Sequence, residues 1–415
     1  MDDRTRLREL AKQWMEIAAL PQMEERRNVW RGMNGGKYIR PAVFVETVSL
    51  VDFVEKKELL CSDKYLRGIE RMMLETIKHY YEIPDDLMVE PEFYIPWEIE
   101  RSNFGVDIEL YRPSGEGDHV AFGYHHPVHN PEDAYKVKNR TFSVNREISN
   151  KRLEMLNDLF GDILPVKIGG FDPAYPPSEG YTPFNGQYVT EVTLNLYRLI
   201  GMDNIYFWLY DHPEIIERLM KILTADFVDF YKWMEKERLL LDNRKNFLTG
   251  GHYGYMEDSS EPSGEVSLNS QWIWCNAEEM TSVSPDMLEQ FVLPFLKNTA
   301  EVFGYTYFGC CERIDDRWDM VKKVIPNLKA VSVSAFSDIW KMGEKLSNSD
   351  IVFSRKPIPQ YLSIKEPEWE LLKKDLEDTA KAARNCKYEF ILRDVYQIFG
   401  DRERLKRWTL MAKAV

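Results

Sequence analysis

The chain has 415 residues, of which 44% are hydrophobic and 29% are charged, a composition that excludes a disordered, collagen-like or coiled-coil protein. Its 68 acidic residues outnumber its 54 basic residues and give a net charge of −14. Nucleic acids and anionic membranes bind basic surfaces, so we expect neither of them as a partner.

Short apolar runs that alternate with helical stretches dominate the chain. Residues 1–37 predict an N-terminal helical extension, and residues 105–128 alternate polar and apolar around a Pro-Ser-Gly-Glu-Gly turn, which predicts a hairpin insertion. Eight runs have the character of strands. They are Ile39–Glu46, Asp86–Tyr94, Ile163–Gly169, Asn246–His252, Tyr305–Cys310, Leu328–Val333, Asp350–Phe353 and Tyr388–Leu392.

Strands that alternate with helices predict parallel strands joined by helical crossovers, and a count of eight predicts a (β/α)8 TIM barrel. We expect residues 1–415 to form this single domain. A doubly wound sheet would need a glycine-rich turn after the first strand, and Met33-Asn34-Gly35-Gly36 precedes that strand instead. The segment Gly170–Gly186 is rich in proline, glycine and aromatic residues, so it predicts an irregular loop over the C-terminal mouth of the barrel.

In such a barrel the reactive side chains lie at the carboxyl ends of the strands. This rule selects a short set of candidates. They are Glu46, Trp97, Glu98, Asp172, His252, Cys310, Cys311, Glu312, Ser334, Asp338, Arg355, Lys356 and Asp394.

The adjacent pair Cys310-Cys311 is the strongest local signal. Neighbouring side chains on a strand point to opposite faces, so both thiols reach the mouth only if the strand has already turned. Thiolates there would suit zinc, together with His252 and a carboxylate. The alternative for the cysteines is that one is buried and one is exposed, without a chemical role. The alternative for His252 is a loop histidine whose ring is hydrogen-bonded to a carbonyl.

Two further pairs suggest substrate contacts. Arg355 and Lys356 stand at one strand end and would bind a carboxylate or phosphate, or would form ion pairs with nearby acids. Trp272 and Trp274 share one face at period-two spacing and would stack on a flat ligand, or would belong to the core.

The five cysteines are too sparse for a disulfide framework, and the N-terminus, MDDRTRLREL, is charged rather than signal-like. No stretch of the sequence is apolar enough to span a membrane. We therefore expect a reduced, cytoplasmic protein.

Four segments together resemble the uroporphyrinogen decarboxylase superfamily, in particular a branch with Gly-Cys-Cys-Glu after a strand. These are Ser284–Phe295, Tyr307–Glu312, Pro326–Ser334 and Phe353–Pro359. The resemblance covers most of the chain and implies a (β/α)8 barrel with its site at the C-terminal mouth. The decarboxylases of the superfamily use paired arginines after the first strand, where this chain has Arg40 followed by a glutamate at the strand end, so we expect a different reaction.

The other members of the superfamily are corrinoid-dependent methyltransferases. Their thiol-transferring branch binds zinc through a His-x-Cys pair and a distant cysteine, positions that fall on Gly309, Cys311 and the vicinity of Asp394. Only Cys311 matches, which leaves open a rearranged site of His252, Cys311 and a carboxylate, either Glu312 or Asp394. The chain has no DxHxxG-type corrinoid motif, so the cobalamin would arrive on a partner protein.

The resulting hypothesis is a methyltransferase component that moves a methyl group between a small molecule, such as a methoxylated aromatic, and a separate cobalamin protein. A decarboxylase or lyase acting on a smaller carboxylate and a non-catalytic binding barrel are the alternatives. A homodimer is also left open. The hypothesis assigns catalysis to Glu46, Glu312 and Asp394, substrate binding to Trp97, Glu98, Trp274, Arg355 and Lys356, and zinc binding to His252, Cys310 and Cys311.

Overall fold

The computed structural model describes residues 2–50, 52–111, 122–172, 186–245, 247–256 and 265–415. It is an α/β structure with a central parallel sheet, which confirms the predicted fold class at this level. The strands of the described residues are β1 Ala42–Val45, β2 Phe93–Ile95, β3 Ile99–Arg101, β4 Glu109–Tyr111, β5 Gly123–His125, β6 Phe142–Val144, β7 Val166–Ile168, β8 Leu248–Thr249, β9 His252–Tyr253, β10 Trp272–Cys275, β11 Tyr305–Phe308, β12 Leu328–Val333, β13 Val352–Arg355 and β14 Tyr388–Leu392.

Helices connect and cover these strands. Within the described ranges, no helix is both long enough and apolar enough to cross a membrane. The α-helices are α1 Asp3–Ala18, α2 Pro21–Met33, α3 Lys64–Glu82, α4 Arg146–Leu156, α5 Val192–Asp211, α6 Pro213–Lys236, α7 Pro285–Phe291, α8 Leu293–Ala300, α9 Trp318–Val324, α10 Ile339–Lys345, α11 Trp369–Ala382 and α12 Glu403–Lys413.

The central sheet has six strands in the order β1-β14-β13-β12-β11-β10, and every neighbouring pair is parallel. A second parallel pair joins β2 to β7. All residues of β1, β13 and β14 are buried; β1 is an uninterrupted apolar run, whereas β13 and β14 also bury Ser354, Arg355 and Glu389. A parallel sheet covered by helices excludes water from both of its faces, so such strands do not alternate with polar residues.

The N-terminal helices α1 and α2 are fastened to the segment that leads into β2. The Asp2 side chain caps α1 by accepting a hydrogen bond from Thr5 N. Trp14 of α1 donates its indole N–H to Glu90 O at 2.7 Å, and Trp30 of α2 donates to Asp86 O at 2.9 Å. Buried indole donors need such partners, so these two bonds fix where the helices lie.

The fourth strand of the parallel array differs from the prediction. The segment 246–252 supplies only β8 and β9, which pair with each other antiparallel. Gly250 and Gly251 both have positive φ, +62° and +88°, and turn the chain back at this point. The parallel strand that follows β7 is instead β10, an apolar run that pairs with β11.

The two predicted insertions are described only in part. β4 and β5 form an antiparallel pair inside the segment 105–128, whose residues 112–121 lie outside the described ranges. The predicted aromatic loop Gly170–Gly186 also falls mostly outside them, at residues 173–185. A third antiparallel pair joins β3 to β6.

Candidate functional site

The carboxyl ends of five strands of the central sheet bring carboxylates, thiols and cations together. Because these strands are parallel, their ends lie along one edge of the sheet. We call these seven residues the strand-end cluster. They are Glu46 after β1, Glu278 after β10, Cys310 and Cys311 after β11, Lys356 after β13, and Arg393 and Asp394 after β14.

The two cysteine sulfurs lie side by side within this cluster. Cys310 Sγ is 3.6 Å from Cys311 Sγ, and Cys311 Sγ is 3.6 Å from Asp394 Oδ2. A carboxylate oxygen of Glu278 and both sulfurs all lie within 4.8 Å of one another. Cys310 is buried, whereas Cys311 is partly exposed and Glu278 is exposed, so the group opens to solvent on one side.

Gly309 explains how adjacent thiols come to share one side. Its φ of +93° ends the extended conformation of β11 before the cysteines begin. The turn is held because Gly309 N donates to Cys275 O at 2.7 Å and Gly309 O accepts from the Trp274 indole at 2.8 Å. The chain therefore turns at the end of β11, as is required for adjacent cysteines to place both sulfurs on the same side.

Glu312 accepts hydrogen bonds from the backbone around the thiols. Its two carboxylate oxygens accept from Cys310 N at 2.6 Å and from Ala277 N at 3.0 Å. Burial raises the pKa of this carboxyl group, and the backbone hydrogen bonds oppose that shift. With both oxygens engaged, Glu312 fixes the turn after β11 to the turn after β10.

Arg393 joins the acidic members of the cluster. Its Nε lies 3.1 Å from Glu46 Oε2 and 3.8 Å from Asp394 Oδ1, and its guanidinium covers the Trp274 ring at 5.0 Å from the centroid. Burial alone would lower the Arg393 pKa, but the charge of Glu46 holds it above its usual value. Nε and Nη1 are buried and make no well-formed hydrogen bond to the described residues.

Lys356 is the second cation of the cluster. Its Nζ donates to Gly250 O at 2.5 Å and to Ser354 Oγ at 3.3 Å, and it lies 5.1 Å from the centroid of the Tyr307 ring. Burial, followed by the positive charge of Arg393, lowers the pKa of Lys356 to about 8. The amine is therefore held near the cluster in an environment that disfavours its charge.

His252 is occupied by other partners. Its Nδ1 is 2.8 Å from Glu389 Oε2, and its Nε2 is 2.7 Å from Asn34 Oδ1. The Asn34 amide N–H groups donate to Tyr253 O and Tyr255 O, so the oxygen is the atom that faces the ring. With an acceptor at each ring nitrogen and no solvent exposure, His252 is not among the residues that the structure gathers around the thiols.

Arg355 also has its own partners. Its Nη1 donates to Ser334 O at 2.7 Å and to Val333 O at 3.3 Å, and its Nη2 pairs with Asp375 of α11 at 2.5 Å. The side chain is buried and joins the sheet to a covering helix. Among the predicted cation pair, Lys356 is the one that the structure places in the strand-end cluster.

Trp97 and Glu98 lie at a different cleft. The Arg146 guanidinium covers the Trp97 ring at 5.2 Å from its centroid, and Arg152 pairs with the Glu98 carboxylate. Both residues line a cavity of about 270 Å³ whose walls also include Asp172. The remaining strand-end candidates have structural contacts: Ser334 Oγ donates to Glu312 O, and Asp338 caps α10.

Two members of the cluster were not among the residues nominated from the sequence. Glu278 follows β10, and the omission of this strand from the eight predicted ones removed its end from consideration. Arg393 directly precedes the nominated Asp394, and a cation at a strand end was a signal that the same rule could have used.

The donor set at the thiols fits zinc. Cysteine sulfur and carboxylate oxygen are ligands that zinc takes in proteins, and Cys310, Cys311 and Glu278 present three such atoms close together. The Asp394 carboxylate is adjacent to Cys311 and adds a fourth donor atom, an oxygen, nearby. His252, the ligand expected from the sequence, is replaced in this set by Glu278.

Comparisons with known proteins give little further guidance. No protein-family model matches the chain, and no curated protein matches it. Among solved structures, a methyltransferase from Methanosarcina mazei is similar with a TM-score of 0.48 and 11% sequence identity, over 94% of this chain and 98% of that one. At this identity, the reaction has to be inferred from the site itself.

Proposed function

We propose that the chain is a zinc-dependent methyltransferase component that exchanges a methyl group between a small molecule and a corrinoid on a separate protein. The observation that carries this proposal is the pair of sulfurs 3.6 Å apart beside the carboxylates of Glu278 and Asp394. Zinc bound there would supply a Lewis acid that polarises the heteroatom carrying the methyl group.

The residues of the chain have distinct roles in this proposal. Cys310, Cys311 and Glu278 hold the metal, and Glu312 keeps the two thiol-bearing positions fixed through the backbone. Arg393, which is ion-paired with Glu46 through Nε and whose Nη1 lacks a well-formed hydrogen bond, orients an anionic oxygen of the substrate or of the departing group. The Trp274 ring beneath Arg393 offers an aromatic face to a flat molecule.

The methyl donor and the partner rest on the sequence resemblance. The resemblance of Tyr307–Glu312 and the other three segments to corrinoid-dependent methyltransferases supports a cobalamin protein as partner and a methoxylated aromatic as substrate. A cytoplasmic location agrees with all five cysteines being free thiols.

We further propose that the two parallel sheets form one (β/α)8 barrel. The six strands of one sheet and the two of the other make up the expected eight. At one seam Asp86 N donates to Val43 O of β1 at 2.8 Å, ahead of β2. On the other side, between β7 and β10, Gly170 N just after β7 donates to Leu239 O at 2.7 Å. Trp274 N of β10 donates to Tyr188 O at 2.8 Å, and the Tyr188 hydroxyl bonds to Leu241, so these segments connect β7 with β10.

Metal content tests the zinc centre directly. We expect about one zinc per chain in the wild-type protein and a clear loss of zinc from Cys311→Ser and from Glu278→Ala. Cys386→Ser is the matched control, because its buried sulfur lies 3.5 Å from Gly343 O and is absent from the cluster. Zinc-free wild-type protein purified without chelators, or full zinc retention by both cluster variants, would contradict the proposal.

Methyl transfer is tested with free cob(I)alamin in place of the partner protein. Methylcobalamin should form from a methoxylated aromatic in the presence of wild-type protein, and its formation should fall by at least about 100-fold in Cys311→Ser, as expected when a ligand of a catalytic metal is lost. Absence of transfer from every methyl ether and methylamine tried, with zinc present, would remove the methyl-transfer assignment and leave the metal site.

A decarboxylase or lyase acting on a small carboxylate is the second candidate, and Arg393 is the observation that favours it. A buried guanidinium with two N–H groups lacking well-formed hydrogen bonds, near the amine of Lys356, is suited to bind a carboxylate. Carboxylate binding that Lys356→Ala and Arg393→Gln both abolish, in protein without zinc, would support this candidate. If neither zinc nor a carboxylate binds and Cys311→Ser has no effect, the third alternative, a non-catalytic barrel with structural cysteines, is favoured.

A further inference from the structure

A small cavity of about 130 Å³ lies between helices α1 and α3 and strands β1 and β2, next to the strand-end cluster. Its apolar walls include Trp14 of α1, Phe44 of β1 and Phe93 of β2. Glu46 lines it as well and connects it to Arg393 in the cluster. Cavities of roughly this size that are lined by apolar side chains accept a single aromatic ring.

One wall of the cavity carries a buried chain of polar groups. Thr47 hydrogen-bonds to the Glu75 side chain, and Thr47 Oγ1 is 3.3 Å from His79 Nδ1. His79 Nε2 is in turn 2.7 Å from Asp85 Oδ2. Asp85 is held in place by backbone donors, since its carboxylate also accepts from Val45 N at 2.8 Å and Leu87 N at 3.0 Å.

The direction of these hydrogen bonds follows from the donors available. Asp85 already accepts from the backbone, so His79 donates to it from Nε2. The Thr47 hydroxyl is shared between His79 Nδ1 and the Glu75 side chain, and its hydrogen bond to Glu75 acts to lower the pKa of that carboxyl group. The Glu75 side chain also lines the cavity, so its carboxyl group is within reach of a ligand there.

Burial, and not the neighbouring charges, favours the neutral form of the Glu75 carboxyl group. Burial raises the pKa of Glu75 to about 7, although Arg71 and Lys78 on the same helix act to lower it. Glu46, Glu92 and His79 also face the cavity. Glu92 is paired with Lys167 and with the Tyr94 hydroxyl. The described residues that line the cavity include carboxyl groups but no lysine or arginine, so the cavity offers hydrogen-bond acceptors to a ligand.

We propose that this cavity binds a small, uncharged molecule of about one aromatic ring that carries a single hydroxyl or N–H group, which donates to Glu75. The aromatic and aliphatic walls take the apolar body, and the polar chain from Asp85 to Glu75 fixes the acceptor. This site does not depend on the zinc centre or on methyl transfer.

Calorimetric titration of the full chain with phenol, anisole and benzene at pH 6 tests the proposal. Anisole keeps the ring and the oxygen but lacks the donor, and benzene lacks both. We expect saturable binding of phenol at least about five-fold tighter than that of anisole, because one buried hydrogen bond contributes about 1 kcal/mol. Absence of saturable phenol binding, or equal affinity for phenol and anisole, would overturn the proposal.

Three variants separate this site from its surroundings. Glu75→Leu should lose the preference for phenol over anisole, and Glu75→Gln, which keeps an acceptor oxygen, should retain it. The Gln variant preserves the shape and polarity of the side chain, so it still tests the proposal if the Leu variant does not fold. Cys311→Ser should bind phenol as the wild type does, so failure of the zinc proposal leaves this result intact. A phenol preference that persists in Glu75→Leu would also overturn the assignment.

Discussion

Glu312 is a buried carboxylate whose two oxygens are engaged by the backbone on either side of the thiols. Its oxygens each accept a backbone N–H, one from the turn after β10 and one from the turn after β11. The sequence places it next to two thiols, where a catalytic acid or a ligand is equally plausible. Only the position of Ala277, distant along the chain, decides that the carboxylate is used for positioning.

Replacing Glu312 with alanine should therefore act mainly on stability. Two buried N–H groups would lose their acceptor, and we expect the free energy of unfolding to fall by about 3 kcal/mol in urea titrations. Glu278→Ala, at an exposed position of the same cluster, should change it by less than about 0.5 kcal/mol when zinc is removed from both proteins. Equal stability of the two variants would contradict the positioning role.

Glu75 predicts a pH dependence of stability. Its folded-state pKa of about 7 lies above the usual value of 4.5, so its contribution to stability is fully present below pH 4.5 and is lost as the pH rises through 7. Glu75→Gln should remove this loss. Relative to wild type, the variant should gain up to about 3 kcal/mol of unfolding free energy between pH 4.5 and pH 8.

Urea unfolding at four pH values across this range measures the effect. Glu147→Gln is the control, because Glu147 is exposed and pairs with Lys151 at the surface. A stability difference between Glu75→Gln and wild type that stays constant with pH would show that Glu75 titrates normally.

At the scale of single elements, the composition of the site depends on which residues follow each strand. The sequence predicts β1, β11, β12, β13 and β14 close to their observed positions, because each is a short run that is mostly apolar and lies between helical stretches. β10 was missed although it has this character, and Glu278 was missed with it. The sequence predicts a parallel strand across Gly250 and Gly251, where the structure has an antiparallel turn. A glycine adopts positive and negative φ equally readily, so the sequence does not show that both glycines have positive φ here.

The turn at Gly309 yields a prediction at this scale. An added Cβ there would lie 3.2 Å from Ser332 Cβ at a φ of +93°, so Gly309→Ala should lower the free energy of unfolding by about 1–3 kcal/mol. Because the turn aligns the two sulfurs, zinc affinity measured by competition with a chromophoric chelator should fall by at least about ten-fold.

Gly400→Ala provides the control for backbone strain. Gly400 also has a positive φ, +72°, but no heavy atom lies within 4 Å of the added carbon. We expect a loss of about 1 kcal/mol and unchanged zinc affinity. An equal decrease of zinc affinity in both variants would show that Gly309 does not align the thiols.

At the scale of the whole molecule, Asp86 ties together distant parts of the chain. It pairs with Arg40 ahead of β1 at 2.7 Å and with Lys413 of α12 at 3.3 Å, and it accepts from Val43 N at 2.9 Å. Burial acts to raise the Asp86 pKa, but the hydrogen bond from Arg40 holds it below its usual value. The first strand and the last helix are thereby joined to the segment that enters β2.

Removal of this carboxylate should weaken the whole fold. We expect Asp86→Ala to lower the free energy of unfolding by about 3–5 kcal/mol at pH 7, because it leaves two cations and a strand N–H without their partner. The difference from wild type should shrink as the pH falls below about 4, where Asp86 protonates in the unfolded chain. Asp162→Ala, which breaks an exposed pair with Arg8, should cost no more than about 1 kcal/mol.

The sequence by itself determined the alternation of strands and helices, the parallel sheet and the stretches of chain that end at the site, because apolar periodicity and strand-end position are local properties. It also singled out Cys310 and Cys311. Only the tertiary structure decided which side chains share the cluster. His252 and Arg355 have local signatures as good as those of Glu278 and Arg393, but a partner from a remote segment, Asn34 or Asp375, engages each of them. Hydrogen-bond partners far apart in sequence are set by how the elements pack.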